Sequence, residues 1–252
     1  MSTRTPRLRM FAGPNGSGKS TLKSFLPKDL LGVYLNPDDI EQAIREQGFL
    51  DFAAYGVTTT AVEALSFFKG FSFLIDAGSG DASQQLEFAN GRLNFEKVEV
   101  NSYFASVAAD FLRQKLLDRK VSFTFETVMS HPSKVELLAQ AQQAGYRTYL
   151  YFVATDDPEI NISRVRSRVK LGGHAVPEDR IVKRYYRSLD LLMEAIQHTN
   201  RAYVFDNSGD NRNKQHTWLA EITDGRVLDL KSDQIPAWFK QFVLDKTNPP
   251  PA

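Results

Sequence analysis

Short apolar runs alternate along the chain with segments whose apolar residues recur at helical spacing. Five such runs, each bounded by turn-forming or charged residues, predict strands. They cover residues 7–12, 31–35, 121–125, 148–153 and 202–205. Strands that are apolar nearly throughout and separated by helices are typical of a parallel sheet covered on both faces. The pattern therefore predicts an α/β fold with a mainly parallel five-stranded sheet flanked by helices.

The segments between the predicted strands carry the helices. Residues 133–144 show helical spacing, and Gly145 ends them as a C-cap. Asp38 or Asp39 is expected to cap a helix over 40–46. Further helices are predicted over 20–25, 59–69, 158–171 and 177–199. The clearest helix covers 102–117, where five apolar residues share one face; they are Phe104, Val107, Ala108, Phe111 and Leu112.

Two regions depart from this alternation. Residues 49–101 separate the second and third strand units by more than a usual connection needs, and we interpret them as an insertion. It holds a helix at 59–69, a strand at 71–75 and a polar loop at 77–85. Residues 218–244 are interpreted as a C-terminal hairpin, with strands 219–222 and 227–230, and a helix over 236–244. We expect one domain over 1–252, with a lid and its following helix at 157–200.

Composition narrows the class of protein. The 252 residues include 31 basic and 30 acidic residues, for a net charge of +1, and no cysteine. The charge balance argues against a general nucleic-acid binder or a polybasic membrane module. The lack of cysteine removes disulfides, thiolate zinc sites and cysteine nucleophiles. No apolar stretch approaches the roughly 20 residues of a membrane span. We expect a cytoplasmic protein that binds neither nucleic acid nor membrane.

The strongest motif follows the first predicted strand. Residues 13–20 read GPNGSGKS and satisfy G-x-x-x-x-G-K-[ST], with a strand before them and a helix after them. Such a loop wraps phosphate with backbone N–H groups, while its lysine reaches the β- and γ-phosphates and its hydroxyl binds Mg²⁺. The motif predicts binding of ATP or GTP, with Ser20 on the metal. The predicted nucleotide-binding residues are Gly13, Asn15, Gly16, Ser17, Gly18, Lys19, Ser20 and Thr21.

Acidic residues fall at the carboxyl ends of two predicted strands, where open parallel sheets bind ligands. Asp38 follows the second strand, and Glu126 follows the third. A kinase needs a carboxylate that orients the acceptor hydroxyl and accepts its proton. Asp38 is our candidate for that base, ahead of Asp39. Glu126 is expected to hold acceptor hydroxyls or to assist the metal. Residues 206–208 after the fifth strand either approach the nucleotide base or form a plain turn.

A basic segment follows the fourth strand. Eight basic residues lie between positions 164 and 187, opposed only by Glu178 and Asp179. We interpret the segment as a mobile lid, hinged at Gly172 and Gly173, that brings an arginine to the triphosphate. A solvated helix face and a nucleic-acid patch are the alternatives. The candidates are Arg164 and Arg168 as catalytic residues and Arg184 as an acceptor-binding residue.

Six motifs occur in a fixed order along the chain. They are GPNGSGKST at 13–21, LNPDDI at 35–40, FETVMSH at 125–131, RVRSRVKLGGHAVPEDRI at 164–181, RYYRSL at 184–189 and FDNSG at 205–209. The ordered set resembles the zeta toxin family of P-loop kinases. The resemblance implies a P-loop NTPase fold that phosphorylates a hydroxyl of UDP-N-acetylglucosamine with ATP or GTP and Mg²⁺. It also implies an antitoxin protein as a partner.

The same resemblance assigns roles to single residues. Asp38 matches the family's base and Glu126 its sugar-contacting acid, while Lys19 and Ser20 match the phosphate and metal contacts. The chain departs from the family at Val128, which replaces a threonine, and at His174, which replaces a second lid arginine and is expected to be a loop residue. The lid arginine is left open among Arg164, Arg166, Arg168, Arg180 and Arg184.

The sequence thus predicts a Mg²⁺-dependent kinase that transfers the γ-phosphoryl group of ATP to a hydroxyl of a small metabolite. A nucleotide sugar is the leading acceptor, and a nucleoside or an antibiotic is the alternative within the kinase class. A nucleotide-dependent switch or ATPase that binds a protein partner through residues 49–101 is the alternative from another class.

Overall fold

The structure is a computed structural model that describes residues 5–71, 78–173, 175–209 and 216–247. Within these ranges the strands are β1 Arg7–Ala12, β2 Val33–Leu35, β3 Phe49–Asp51, β4 Glu87–Ala89, β5 Arg92–Asn94, β6 Phe123–Thr127, β7 Arg147–Ala154, β8 Arg201–Asp206, β9 Thr217–Thr223 and β10 Val227–Leu230. The α-helices are α1 Lys19–Lys23, α2 Lys28–Leu31, α3 Pro37–Gln47, α4 Ala61–Gly70, α5 Gly80–Ser83, α6 Ser102–Asp118, α7 Ser133–Gln143, α8 Pro158–Lys170, α9 Glu178–Asp190, α10 Leu192–Gln197, α11 Ala237–Phe239 and α12 Asp245–Thr247. A 3₁₀ turn covers Phe52–Tyr55, and a π-helical turn covers Lys240–Leu244.

The chain divides into two compact units. The first unit joins Met1–Leu31 to Glu126–Ala252, and the second is the continuous segment Gly32–Phe125. The boundaries expected for the insertion, the lid and the C-terminal segment, and their grouping into one domain, stay predictions.

The first unit contains most of the main sheet. Its strands lie in the order β10-β9-β8-β7-β1. Strands β1, β7 and β8 run parallel, with Met10 opposite Leu150 and Leu150 opposite Ala202. Strands β9 and β10 continue the sheet antiparallel. Both strands of the predicted hairpin join this sheet, so it contains two strands that the prediction of a five-stranded sheet did not include. The predicted α/β fold with a mainly parallel sheet is confirmed.

Strand β1 shows why this sheet reads as parallel in the sequence. Its five consecutive residues from Leu8 to Ala12 are all buried, and all but Arg9 are fully buried. Side chains alternate between the two faces of a strand, so burial of neighbours means that both faces are covered.

The second unit has a parallel strand pair, a small sheet and a long helix. Strand β2 pairs in parallel with β6, with Leu35 opposite Phe125. Strands β3, β5 and β4 form a separate antiparallel sheet. The apolar face predicted for the long helix, now α6, is buried at all five positions. The strand predicted at 71–75 lies outside the described residues except for Phe71, and the loop predicted at 77–85 contains α5.

Several local predictions need correction. Asn36, rather than Asp38 or Asp39, caps α3, because its side chain accepts from the Asp38 N–H and leaves both aspartates in the first helical turn. Glu126 lies inside β6 instead of after it. The helix predicted over 177–199 is two helices, α9 and α10, with Leu191 between them.

The C-terminal helix predicted over 236–244 is a composite that closes the first unit. It runs through α11, the π-helical turn and α12. Trp238 and Phe239 are buried. The indole N–H of Trp238 donates to Asp206 Oδ1 at 2.9 Å, at the end of β8. The segment therefore adds an aromatic anchor at the carboxyl end of β8.

Among the described residues, every helix is too short or too polar to span a bilayer.

Candidate functional site

The glycine-rich loop lies in the first unit, between β1 and α1. Gly13, Gly16 and Gly18 have φ values of 141°, 73° and 101°, a region that L-residues with a side chain rarely adopt. A Cβ at Gly13 would also overlap the Val153 carbonyl oxygen. Gly18 is the N-cap of α1, so the loop delivers the chain directly to the positive end of a helix. The backbone has the shape that the motif predicts for a phosphate-binding loop.

Side chains from elsewhere in the unit hold three loop carbonyls. Asn161 Nδ2 donates to Asn15 O at 2.6 Å, and Asn207 Nδ2 donates to Ser17 O at 2.7 Å. His216 Nε2 lies 3.1 Å from Gly18 O, which assigns the proton to Nε2 as the donor. Carbonyls bonded in this way cannot turn toward an anion, so the loop is kept ready for phosphate.

The side chain of Lys19 folds back onto the first residues of the loop. Its Nζ donates to Gly13 O and to Pro14 O, both at 2.9 Å. The ammonium group therefore lies at the loop itself, where a bound phosphate would compete for it. Among the described residues, Asn15 Oδ1 and Ser17 Oγ are buried without a hydrogen-bond partner. They are polar atoms that a nucleotide could satisfy.

Ser20 and Glu126 come together across the first unit. Ser20 Oγ donates to Glu126 Oε2 at 3.0 Å, and Lys23 Nζ lies 4.0 Å from Glu126 Oε1. Glu126 is only 6% exposed. A hydroxyl and a carboxylate are oxygen ligands of the kind Mg²⁺ prefers, so these residues fit a metal bound beside the loop. In the described part of the chain no cluster of three or more His, Asp or Glu residues forms a metal cage.

The predicted base lies in the second unit. Asp38 is exposed in the first turn of α3, and its backbone N–H donates to Asn36 Oδ1 at 3.0 Å. Its carboxylate is thus not needed for the helix cap, which removes the structural explanation that the sequence left open. The catalytic role of Asp38 stays a prediction. Thr21, predicted to bind nucleotide, is exposed on α1.

The basic segment forms α8 and α9, which pack through Ile162, Val165 and Ile181. Arg164 is half-buried, and its Nη2 donates to Gly209 O at 3.1 Å. Burial lowers the pKa of Arg164, and Asp206 opposes this effect.

Arg166 is paired with Glu178. Arg168 is exposed near the end of α8, and Arg184 is partly buried on α9. Their predicted roles are untested, and His174 lies outside the described residues.

Two of the loop-binding side chains were not predicted. Asn161 is fully buried on α8, and a buried polar residue usually has a specific partner. The sequence signal for it is a polar residue between two apolar ones, Ile160 and Ile162. The sequence predicts no role for His216. For Asn207 the sequence predicts either a nucleotide contact or a plain turn, and the structure shows a contact with the loop.

The chain is similar to several known proteins. The family model described as Zeta toxin matches residues 94–216. An uncharacterised protein of Haemophilus influenzae strain Rd is 25% identical over 175 residues, which cover 69% of this chain and 89% of that protein. Two solved structures share the fold. Both are chains of the AvrRxo1-ORF1:AvrRxo1-ORF2 complex.

The first of these, with sulphate ions, has a TM-score of 0.54 at 13% identity and covers 98% of this chain and 65% of that one. The second, with ATP, has a TM-score of 0.51 at 14% identity and covers 90% and 61%. This chain thus spans less than two thirds of the length of either, and the likeness is one of fold.

The parallel sheet and the loop between β1 and α1 define a P-loop α/β fold, and the two AvrRxo1 structures share this fold. Within that class, the chain is similar to the Zeta toxin family over residues 94–216. The loop at 13–20 lies outside the matched residues. Its assignment to the P-loop class therefore rests on its own sequence and backbone geometry.

Proposed function

We propose that the protein is a Mg²⁺-dependent kinase that transfers the γ-phosphoryl group of ATP or GTP to a hydroxyl of a small metabolite. One observation carries the proposal: three loop carbonyls are held by side chains from elsewhere in the unit, the Lys19 ammonium lies at the loop, and Ser20 is bonded to a buried carboxylate. This arrangement has donors for a triphosphate and oxygen ligands for a metal, side by side.

In this proposal the residues divide the work of phosphoryl transfer. The loop N–H groups and Lys19 bind the phosphates and stabilise charge that develops on the transferred group. Mg²⁺ would neutralise phosphate charge and would be held by Ser20 with support from Glu126. Asp38 orients the acceptor hydroxyl and takes its proton as the acceptor oxygen bonds to the γ-phosphorus and the bond to the β-phosphate oxygen breaks. Arg164, Arg168 and Arg184 are the candidates for further charge stabilisation.

We propose a nucleotide sugar such as UDP-N-acetylglucosamine as the acceptor. The family match and the six ordered motifs support this class of acceptor. The neighbouring structures bear names of two-component complexes, which supports the further proposal of a protein partner such as an antitoxin.

The test is a phosphoryl-transfer assay read by mass spectrometry. The protein, Mg²⁺ and ATP are incubated with UDP-N-acetylglucosamine and, separately, with a metabolite extract. We expect a product heavier by one phosphoryl group. Asp38→Asn should slow its formation by about 10²- to 10⁴-fold with ATP affinity retained, because the base acts only on the acceptor. Lys19→Ala should weaken ATP binding itself.

Asp39→Asn is the matched control, because Asp39 is exposed in the same helical turn. It should leave the rate close to that of the parent protein. A product found only in the extract would keep the kinase and replace the acceptor. ATP binding without any phosphorylated product would contradict the kinase proposal.

A further inference from the structure

Asn161 is the most deeply buried of the side chains that hold the loop. It lies in the first turns of α8, and none of its surface is exposed. Its Nδ2 donates to Asn15 O at 2.6 Å, and its Oδ1 accepts from the Thr155 hydroxyl. The two bonds fix the orientation of the amide, because the donor and acceptor ends have different partners.

Backbone packing at the same point leaves no room between α8 and the loop. A Cβ at Gly16 would lie 2.8 Å from Asn161 O and 3.3 Å from Val165 Cγ2. The loop therefore rests directly on the first turns of α8. A shift of this part of the helix would move the Asn15 and Gly16 backbone with it.

The contact continues from α8 to α9 through buried groups. The Tyr185 hydroxyl donates to Thr155 O at 2.6 Å. Thr155 and Asn161 are fully buried and Tyr185 is 2% exposed. Burial raises the pKa of Tyr185, so the hydroxyl keeps its proton and remains a donor. A continuous set of hydrogen bonds thus runs from Asn15 through Asn161 and Thr155 to Tyr185.

We propose that Asn161 is a positioning residue for the nucleotide. It keeps the Asn15 carbonyl turned away from the phosphates, and it couples the loop to the two helices that carry Arg164, Arg168 and Arg184. A carbonyl facing the phosphates would repel them, so its orientation governs affinity. The proposal rests on the proposed function, because it assumes that the loop binds a nucleoside triphosphate.

Asn161→Asp is the sharpest variant. The aspartate has nearly the same shape and can still accept from Thr155, but it has no N–H for Asn15 O and places a negative charge beside it. An unsatisfied buried carbonyl has a penalty large enough to weaken ATP binding about tenfold. Asn161→Ala, which removes both bonds without adding charge, should weaken it by a smaller factor. The dissociation constant is measured by titration with a fluorescent ATP analogue and competition with ATP.

Asn200 provides the matched control at the opposite end of β7. Its Oδ1 accepts from Thr148 N at 2.9 Å, and its Nδ2 donates to Asp224 Oδ1 at 3.3 Å. The pair of Asn200 and Thr148 thus resembles that of Asn161 and Thr155, but it is bonded to a strand and a turn and not to the loop. Asn200→Asp should lower the melting temperature and leave ATP affinity unchanged. Asn161→Asp should change affinity by more than its melting temperature explains. An Asn161→Asp protein that binds ATP as the parent does would overturn the proposal.

A second measurement uses the parent protein and does not depend on a variant that folds. Amide hydrogen exchange is compared with and without ATP and Mg²⁺. Protection should extend from the loop into residues 158–165, because the contacts move together. Protection confined to residues 13–20 would overturn the coupling. If the parent fails to bind ATP at all, the proposed function falls and this inference falls with it, whereas loss of the Asn161 effect alone leaves the kinase proposal standing.

Discussion

At the scale of single residues, Glu126 has the most informative environment. It is a carboxylate buried inside β6, with the Ser20 hydroxyl on one oxygen and Lys23 near the other. The resemblance to zeta toxins implies a sugar contact for it. The contact with Ser20 favours the metal, since a carboxylate bonded to the P-loop hydroxyl is placed to support a Mg²⁺ ligand.

Glu126→Gln separates these two roles. The amide is nearly isosteric but lacks the charge, so the Mg²⁺ concentration needed for half-maximal ATP binding should rise about tenfold. The acceptor KM should stay nearly constant. A Mg²⁺ titration of ATP binding and an acceptor titration at saturating Mg²⁺ give both values.

Glu136→Gln is the control for that prediction, because Glu136 is an exposed acid in the first turn of α7. An unchanged Mg²⁺ requirement together with a raised acceptor KM in Glu126→Gln would assign the residue to the acceptor instead.

The residues that could be predicted from the sequence are those with a local reason for their type. The loop glycines and Lys19 belong to one short motif, and their backbone and contacts agree with it. Asn161 and His216 lie 146 and 198 positions from the loop residues that they contact. No spacing rule connects such distant positions, because the contact is made only by the fold.

At the scale of elements, α6 shows how a helix in the second unit is capped at its N-terminus. Asn101 precedes its first residue, and its side chain accepts from the N–H groups of Tyr103 and Phe104. These bonds satisfy donors that a helix cannot satisfy internally. The helix then places Phe104 and Phe111 in the unit's aromatic core, where Phe104 contacts Phe95 and Phe111 contacts Phe52.

Asn101→Ala should therefore destabilise the second unit by about 1 kcal/mol. The expected signature is an earlier unfolding midpoint in urea at an unchanged slope, because the cap is lost without a change in the area that unfolding exposes. Asn101→Asp, which keeps an acceptor in place, should lose much less. Equal losses in the two variants would contradict the capping role.

The predicted bounds of helices and strands agree best with the structure where apolar residues recur regularly along the sequence. Helix α6 and strand β7 lie within two residues of their predicted ends. Errors came at boundaries where two polar residues compete. Asn36 precedes Pro37, whose ring lacks a donor and suits the first helical position, and so the cap falls before the aspartates. The sequence between β8 and β9 has no hydrophobic pattern that predicts their pairing, so the predicted sheet lacks the two strands of the hairpin.

At the scale of the whole molecule, the first unit is built from both ends of the chain. The loop lies before Leu31, while the side chains that hold its carbonyls lie after Glu126. The intervening Gly32–Phe125 segment forms the other unit. The phosphate-binding backbone thus depends on contacts of large sequence separation, which form late when folding is governed by loop closure.

The contact of His216 with the loop makes the stability of the first unit sensitive to acid. Burial lowers its pKa below the ordinary value of 6.5; Arg164 acts in the same direction, and Gly18 O and Asp206 oppose it. Below pH 6.5 the unfolded chain takes up a proton that the folded chain still refuses, so stability should fall with pH until the folded histidine also titrates. His216→Gln should show a smaller loss of melting temperature between pH 8 and pH 5.5. Parallel losses in the two proteins would rule out His216 as the cause.

The aromatic anchor at the C-terminus has an optical consequence. The chain has two tryptophans, Trp218 on β9 and Trp238 in α11, and both belong to the first unit. Trp238 is 2% exposed and Trp218 is 40% exposed, so the emission should combine a blue-shifted and a red-shifted component. The segment Gly32–Phe125 has no tryptophan and therefore contributes no tryptophan emission. Intrinsic fluorescence therefore reports the melting of the unit that carries the P-loop, whereas circular dichroism follows both units.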